Sequence, residues 1–239
     1  MRKIMNSIVI ILLIWIIITY VFKPAEYLFP KPYSVLSEFK EHYQVFLQNT
    51  FYTLLEIIIG FLIANIIGLT LAIIAINYNS LEQILTIFAI ILKTIPIIAI
   101  APLLVLWFGH GIGSKIAAVV ITCFIPILIN VLSGAKALDE QFISLFNLYS
   151  INKYQKIRYF IIPGIVPHLI SAFKISSSLA IVGALVSEFI TANKGLGYLI
   201  ISNYYSMNIA GVFVCIILSS FIGIGIYTIC EKIEKEVIR

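Results

Sequence analysis

The chain has 239 residues, 61% of them hydrophobic and only 11% charged, and its mean hydropathy is +1.08. A soluble domain is typically about a quarter charged, so this composition excludes an ordinary soluble enzyme and implies a polytopic membrane protein. The net charge of +5 comes without any basic patch interleaved with stacking aromatics, which excludes a nucleic-acid binder.

A helix needs about 20 apolar residues to cross the hydrocarbon core. The stretches that qualify are Ile4 to Phe22, Asn49 to Ile76, Ile84 to Phe108, Ile116 to Leu132, Ile165 to Ile190 and Ala210 to Cys230. The expected fold is therefore all-α and polytopic, with about six transmembrane helices in a single domain. Its parts run as a first span (4–22), an outer segment (23–48), spans two to four (49–133), a polar loop (134–163), spans five and six (164–230) and a tail (231–239). Arg2 and Lys3 give the first span a secretory look, but no small-x-small cleavage site follows, so the span is read as retained.

An even number of spans puts both termini on one side, and the Lys/Arg bias selects that side. With the N-terminus inside, inner segments hold Arg2, Lys3, Lys136, Lys153, Lys156, Arg158, Lys232, Lys235 and Arg239, against Lys23, Lys31, Lys40, Lys115 and Lys194 outside. The bias places both ends and the polar loop in the cytoplasm.

In the outer segment, Lys23-Pro24, Phe29-Pro30 and Lys31-Pro32 make a rigid non-helical lead-in. Ser34 can then cap a helix in which Val35, Leu36, Phe39, Tyr43, Phe46 and Leu47 recur at helical spacing. This is either a helix lying on the membrane surface or the hydrated start of the second span. Within that span Gly60 and Gly68 fall near one face, where a neighbouring backbone can approach closely. Pro96 and Pro102 interrupt the third span, and the backbone groups they free must face protein or a wet cavity; such a break lines a path or is a packing kink. Glu56 and Lys93 either face each other or snorkel near the span ends.

Residues 109–115 superficially resemble a phosphate loop, but Ser114 and Ile116 flank Lys115 where that motif needs Gly and Ser or Thr. No nucleotide site is therefore expected. His42, His110 and His168 lie in separate segments, and Cys123, Cys215 and Cys230 are far apart within apolar stretches. Neither set has metal-ligand spacing, so no metal, no cofactor and no catalytic residue is expected.

The polar loop carries Lys136, Asp139, Glu140, Lys153, Lys156 and Arg158 between two long apolar stretches. Phe142, Leu145, Phe146 and Tyr149 stand at i, i+3, i+4 and i+7, so a short helix there presents one apolar, aromatic stripe to a soluble partner. Ser150 or Asn152 can break and recap the chain before a second short helix with Tyr154, Ile157 and Ile161 on one face. Pro163, Gly164 and Pro167 then force a sharp return into the bilayer. In the fifth span Ser171, Ser176, Ser177 and Ser178 suit either a polar route or small-residue packing. After it, Gly195-Leu196-Gly197-Tyr198-Leu199-Ile200 is too short to cross and reads as a re-entrant half-helix or an ordinary loop.

Residues 134 to 200 resemble the cytoplasmic loop and following span of binding-protein-dependent ABC importer permeases, particularly the nitrate/sulfonate/taurine type. Pro163 lies at the family's distance after Ser150, which replaces the family's glycine, and Ser144-Leu145-Phe146 replaces its Glu-Ala-Ala triplet. Further pieces stand in the family's order: Leu28-Phe29-Pro30-Lys31-Pro32, Gly60-Phe61, Ile95-Pro96, Ala101-Pro102-Leu103, Leu106-Trp107-Phe108-Gly109, Val186-Ser187-Glu188-Phe189 and the Gly195-Gly197 run. The resemblance covers about residues 28 to 230.

It implies a type I ABC importer permease in a bacterial inner membrane, with a cytoplasmic coupling helix between spans four and five. Its partners would be ATPase subunits that hydrolyse ATP, an external solute-binding protein and a second permease subunit, expected to be another copy. Phe142, Leu145, Phe146, Tyr149, Ser150, Tyr154 and Pro163 become the ATPase-coupling candidates. Pro96, Pro102, Lys174, Ser178, Glu188, Gly195 and Gly197 become the pathway or gate candidates, with Lys174 near a cytoplasmic gate and Glu188 near the outer end. The solute would be of the sulfonate, taurine or nitrate kind, or a pyrimidine precursor of thiamine. The alternative is an autonomous carrier driven by an ion gradient, which would be expected to show internal repeats and mid-membrane carboxylates; the sequence shows neither.

Overall fold

A computed structural model describes residues 10, 12–138, 152, 155 and 157–237. Among them every regular element is helical. In chain order these are α1 (Leu12–Phe22), α2 (Pro32–Glu41), α3 (Tyr43–Ala75), α4 (Asn79–Thr94), α5 (Ile97–Phe108), α6 (Ile112–Lys136), α7 (Ile162–Thr191), α8 (Leu196–Tyr205) and α9 (Ile209–Val237). Four helices are long and apolar enough to cross a membrane: α3, α6, α7 with its preceding turn, and α9. The pair α4 and α5, bent by 103° at Ile95-Pro96, is apolar enough to be a broken fifth span or a re-entrant segment, and α1 stands where the first span is expected.

The outer segment departs from the expected single helix. It forms two, α2 and α3, separated at His42, whose φ of −118° and ψ of 24° take it out of the helical region. Val35 is buried on α2 and Phe46 on α3, and Phe39 and Phe46 stack at 6.2 Å across the break. The helix α2 rests on α9. Trp15 donates its indole N–H to the Pro30 carbonyl at 3.1 Å and packs against Phe29 and Phe213, which fastens α1 and the lead-in to the same helix.

The centre of the fold is α6, packed against α3 and α7. Apolar burial gives little driving force between helices in lipid, so close approach through small residues matters more. A Cβ added to Gly60 would meet the Val119 Cβ at 2.6 Å, and one added to Gly68 would meet Ile127 at 2.9 Å. On the other side, Gly183 lies over Thr122 and Val119. Cys123 and Ser176 also exchange two hydrogen bonds between α6 and α7, Sγ to Ser176 O at 3.4 Å and Oγ to Cys123 O at 3.2 Å. Packing therefore explains Ser176, and Ser177 is buried with its hydroxyl on the Lys174 carbonyl; of the α7 serines only Ser171 and Ser178 are exposed.

The prolines act differently from one another. Ile95 and Pro96 are extended and end α4, as a residue before proline prefers. Pro102 lies inside α5 without ending it. Pro163 is the second residue of α7 and Pro167 follows within the helix; each lacks the N–H that would bond to the preceding turn, yet neither ends the helix. A π-helical turn at Ile157–Ile161 runs directly into α7, so the return to the bilayer is continuous and the expected sharp break at these prolines is absent.

Adding one methyl group should therefore separate α3 from α6. Gly60→Ala is expected to destabilise the protein by about 1–3 kcal/mol. Val119→Ala in the same chain should restore much of the loss, read as the thermal unfolding midpoint in detergent.

Candidate functional site

The C-terminal end of α7 holds a buried polar site built from four elements. After Thr191 the chain turns through Ala192 to Lys194 and reaches Gly195 at φ 108°, the left-handed region that favours glycine. The helix α8 starts immediately, and its first N–H groups need partners. Gly195 N donates to Asn49 Oδ1 at 2.7 Å, Leu196 N to Thr53 Oγ1 at 2.8 Å and Gly197 N to Glu188 Oε2 at 2.5 Å. Thr53 in turn donates its hydroxyl to Glu188 Oε1 at 2.7 Å. A carboxylate at a helix N-terminus is favoured by the helix dipole, and here it is 1% exposed.

The same geometry explains both glycines. The Glu188 carboxyl occupies the space that a side chain on Gly195 would need, and a Cβ on Gly197 would meet Glu188 Cβ and Leu185 O at 2.7 Å. Glu56, 5% exposed, and Lys115, 2% exposed, lie within electrostatic reach of Glu188. Lys115 also donates to the His110 carbonyl at 2.8 Å. It is thus a buried member of this cluster rather than a solvated loop charge. Glu56 faces this cluster and Lys93 lies elsewhere, so the two do not pair.

A second feature lies at the α4–α5 break. A groove of about 460 Å³ opens between that break, α6 and α7, lined by residues that include Lys93, Pro96, Ile125, Asn130, Ile175 and Leu179. Ile175, Leu179 and Val182 form an exposed stripe at i, i+4 and i+7 on α7, with Ser178 exposed between them. The adjoining face of α7 carries Ala172, Ser176, Ala180 and Ala184, all fully buried.

The sequence candidates thus separate. Pro96 lines the groove, Ser178 adjoins its α7 wall, and Pro102 is exposed on α5. Gly195, Gly197 and Glu188 belong to the turn between α7 and α8. Lys174 is half-buried and bonded to Glu234 near the far end of α9. Pro163 starts α7, whereas Phe142, Leu145, Phe146, Tyr149, Ser150 and Tyr154 lie outside the described residues. On the same side, Lys136 at the end of α6 pairs with Glu82 of α4 at 2.5 Å, and Leu138 packs over Gly164.

Residues 64–239 match the family described as the binding-protein-dependent transport system inner membrane component. The chain belongs to that family. It is the membrane permease subunit of an ABC importer, whose working partners are an ATPase and a solute-binding protein. A formylaminopyrimidine transport permease protein of Halalkalibacterium halodurans is 31% identical over 87% of this chain and 84% of its own length. A probable ABC transporter permease protein of Haemophilus influenzae is 30% identical over 91% and 89%. Among solved structures, an inward-facing MetNI methionine ABC transporter shares the fold, with a TM-score of 0.71 at 16% identity, over 83% of this chain and 99% of that one. The family excludes the autonomous carrier as the reading of this chain.

The sequence motifs do not name Asn49, Thr53 and Lys115 as partners of the turn between α7 and α8. The signal was present, since Asn49, Thr53 and Glu56 recur at i, i+4 and i+7 on the apolar α3 and thus share a face.

Truncating Glu188 leaves Thr53 and the Gly197 N–H without their buried acceptor, at a cost of about 1–3 kcal/mol. Glu188→Ala should raise hydrogen exchange across residues 192–205 by about tenfold or more. Glu188→Gln, which keeps one acceptor oxygen, should fall between the variant and the parent chain.

Proposed function

We propose that two copies of this permease stand side by side in a bacterial inner membrane and enclose the solute route between the exposed stripes of their α7 helices. The observation that carries this reading is the groove at the α4–α5 break. A discontinuous helix beside an exposed helical stripe, deep in an apolar protein, is the arrangement expected of a route. The whole chain acts as one permease domain. Its N- and C-termini and residues 134–163 lie in the cytoplasm, in keeping with the Lys/Arg bias.

In this reading ATP is hydrolysed on the partner chain and the permease has no nucleotide site of its own. The apolar stripe Phe142, Leu145, Phe146 and Tyr149 seats in the ATPase, with Ser150 and Tyr154 closing the contact. Pro163 fixes the start of α7, so motion of the loop is delivered directly to the helix that lines the route. Because α3, α6 and α7 are locked through glycine contacts, they rock as a body between inward-open and outward-open states. Glu188, Gly195 and Gly197 hold the outer turn as part of the outer gate. Pro96 and Pro102 shape the broken helix, and Ser178 offers a hydroxyl beside the stripe. Lys174, tied to Glu234, braces the cytoplasmic end.

The relatives carry names for formylaminopyrimidine, aliphatic sulfonate, taurine and nitrate transport. The solute here is proposed to be a small polar molecule of that general kind, delivered by an external binding protein.

Replacing residues 142–158 with a polar linker of equal length should leave the permease folded and its partner ATPase active. Solute-binding protein should then no longer stimulate ATP hydrolysis in lipid vesicles. Full stimulation by the linker variant would exclude this coupling route.

A further inference from the structure

The groove at the α4–α5 break lies at mid-membrane depth by the register of three helices. Ile175 to Val182 are the central residues of α7, and Thr122 to Ile129 are the central residues of α6. On α4, about 21 Å of helix separates Asn79 from Lys93, more than half of the roughly 30 Å hydrocarbon core. Within the groove's lining Lys93 is the one charged side chain, and its polar neighbours are Thr122 and Asn130. The Asn130 amide is already bonded to the Pro126 carbonyl and the Thr122 hydroxyl to Ala118 and Val119.

No ion pair among the described residues includes Lys93, and it is exposed in the groove. The other intramembrane charges differ: Lys174 is bonded to Glu234, and Lys115 is buried near Glu56 and Glu188. A cation at this depth is expensive to maintain and normally faces a partner or a water-filled cavity. Its place in the last turn of α4 suits the helix dipole but does not account for its facing an otherwise apolar groove.

We infer that Lys93 is the charge-selecting residue of the route, drawing the anionic group of a passing solute into the mid-membrane groove. This rests on the reading of the groove as the route. A low-dielectric wall on three sides strengthens the field of a single charge, so one lysine suffices to favour solutes bearing a carboxylate, sulfonate or other oxyanion over cations of similar size. The preference is electrostatic and independent of the solute's shape, which leaves shape recognition to the external binding protein.

The test needs no knowledge of the solute. Leu179→Cys places a thiol on the wall of the groove that faces the break, and the native Cys123, Cys215 and Cys230 are buried. In membranes holding the complete transporter, the thiol is reacted with an anionic reagent, 2-sulfonatoethyl methanethiosulfonate, and a cationic one, 2-(trimethylammonium)ethyl methanethiosulfonate. Background is read from the chain without L179C, and each rate is referred to that of a free thiol. The anionic reagent should react faster, and K93Q should lower the anionic-to-cationic ratio by about tenfold. K93R should preserve it, and K93E should invert it. Because the ratio is internal to each variant, a loss of expression or a fraction of misfolded protein cancels. A ratio unchanged in K93Q and K93E would overturn the inference while leaving the route standing. Labelling by neither reagent, with or without ATP, would remove the route and the inference together.

Discussion

Hydrocarbon offers no hydrogen-bond partner, so wherever this backbone stops being helical within the membrane the chain must provide partners itself. The structure meets that constraint at two interruptions in opposite ways. At the turn between α7 and α8 three successive N–H groups are each given a side-chain acceptor, from α3 and from the end of α7. At Ile95-Pro96 the break has no side-chain cap on α5 and opens on a groove. The first interruption is closed and rigid, and the second is left facing a space that water or solute can fill.

That contrast depends on the scaffold behind both sites. The helices α3, α6 and α7 approach closely at Gly60, Gly68 and Gly183, so a small displacement of one is passed to the others. The turn between α7 and α8 is bonded to this body through Asn49 and Thr53 on α3 and Glu188 on α7. The groove uses α6 and α7 as two of its walls and the bent pair as the third. In the proposed coupling, a push at the start of α7 would reach the turn between α7 and α8 as rigid-body motion, while the bent pair, attached by fewer close approaches, is the element against which the body would move. The bridges from Lys136 to Glu82 and from Lys174 to Glu234 lie on the side where such a push would arrive.

The fold was largely legible because apolar length and composition report the spans directly. The stretch Asn49 to Ile76 corresponds to α3, Ile116 to Leu132 to α6, and Ile165 to Ile190 to α7. Gly60 and Gly68 were read correctly as close-approach positions, since helical spacing alone places them near one face. The break at His42 was not legible, because Val35 to Leu47 keeps a helical rhythm across it, and tertiary packing of Val35 and Phe46 decides the angle. At Pro163 and Pro167 the sequence suggests a break that the structure does not make, because the helix runs from the turn at Ile157–Ile161 through both prolines, and whether a proline ends a helix or only interrupts its bonding depends on the packing around it. Glu188 was noticed as a charge in an apolar span, but its partner Gly197 is a backbone N–H, which has no sequence signature. The burial of Lys115 has no signature in a count of charges by segment, which cannot show that a first-turn lysine folds back into the protein.

The intramembrane charges finally separate into two kinds, and the separation follows from desolvation. Glu188, Glu56 and Lys115 are buried together; Glu188 is held by Thr53 and the Gly197 N–H and Lys115 by the His110 carbonyl, whereas one Glu56 carboxyl oxygen is buried without a hydrogen-bond partner among the described residues. Groups held in that way are constrained by their partners, which makes them suited to fixing the Gly195–Gly197 turn and unsuited to binding and releasing a solute. Lys93 is solvated from the groove and carries no such constraint, so its field is available to whatever enters. A transporter needs both kinds, because a site that grips its solute as firmly as Glu188 grips α8 would bind without releasing. The exposed lysine and the buried carboxylate are thus opposite solutions to the cost of placing charge in a membrane, one serving passage and the other geometry.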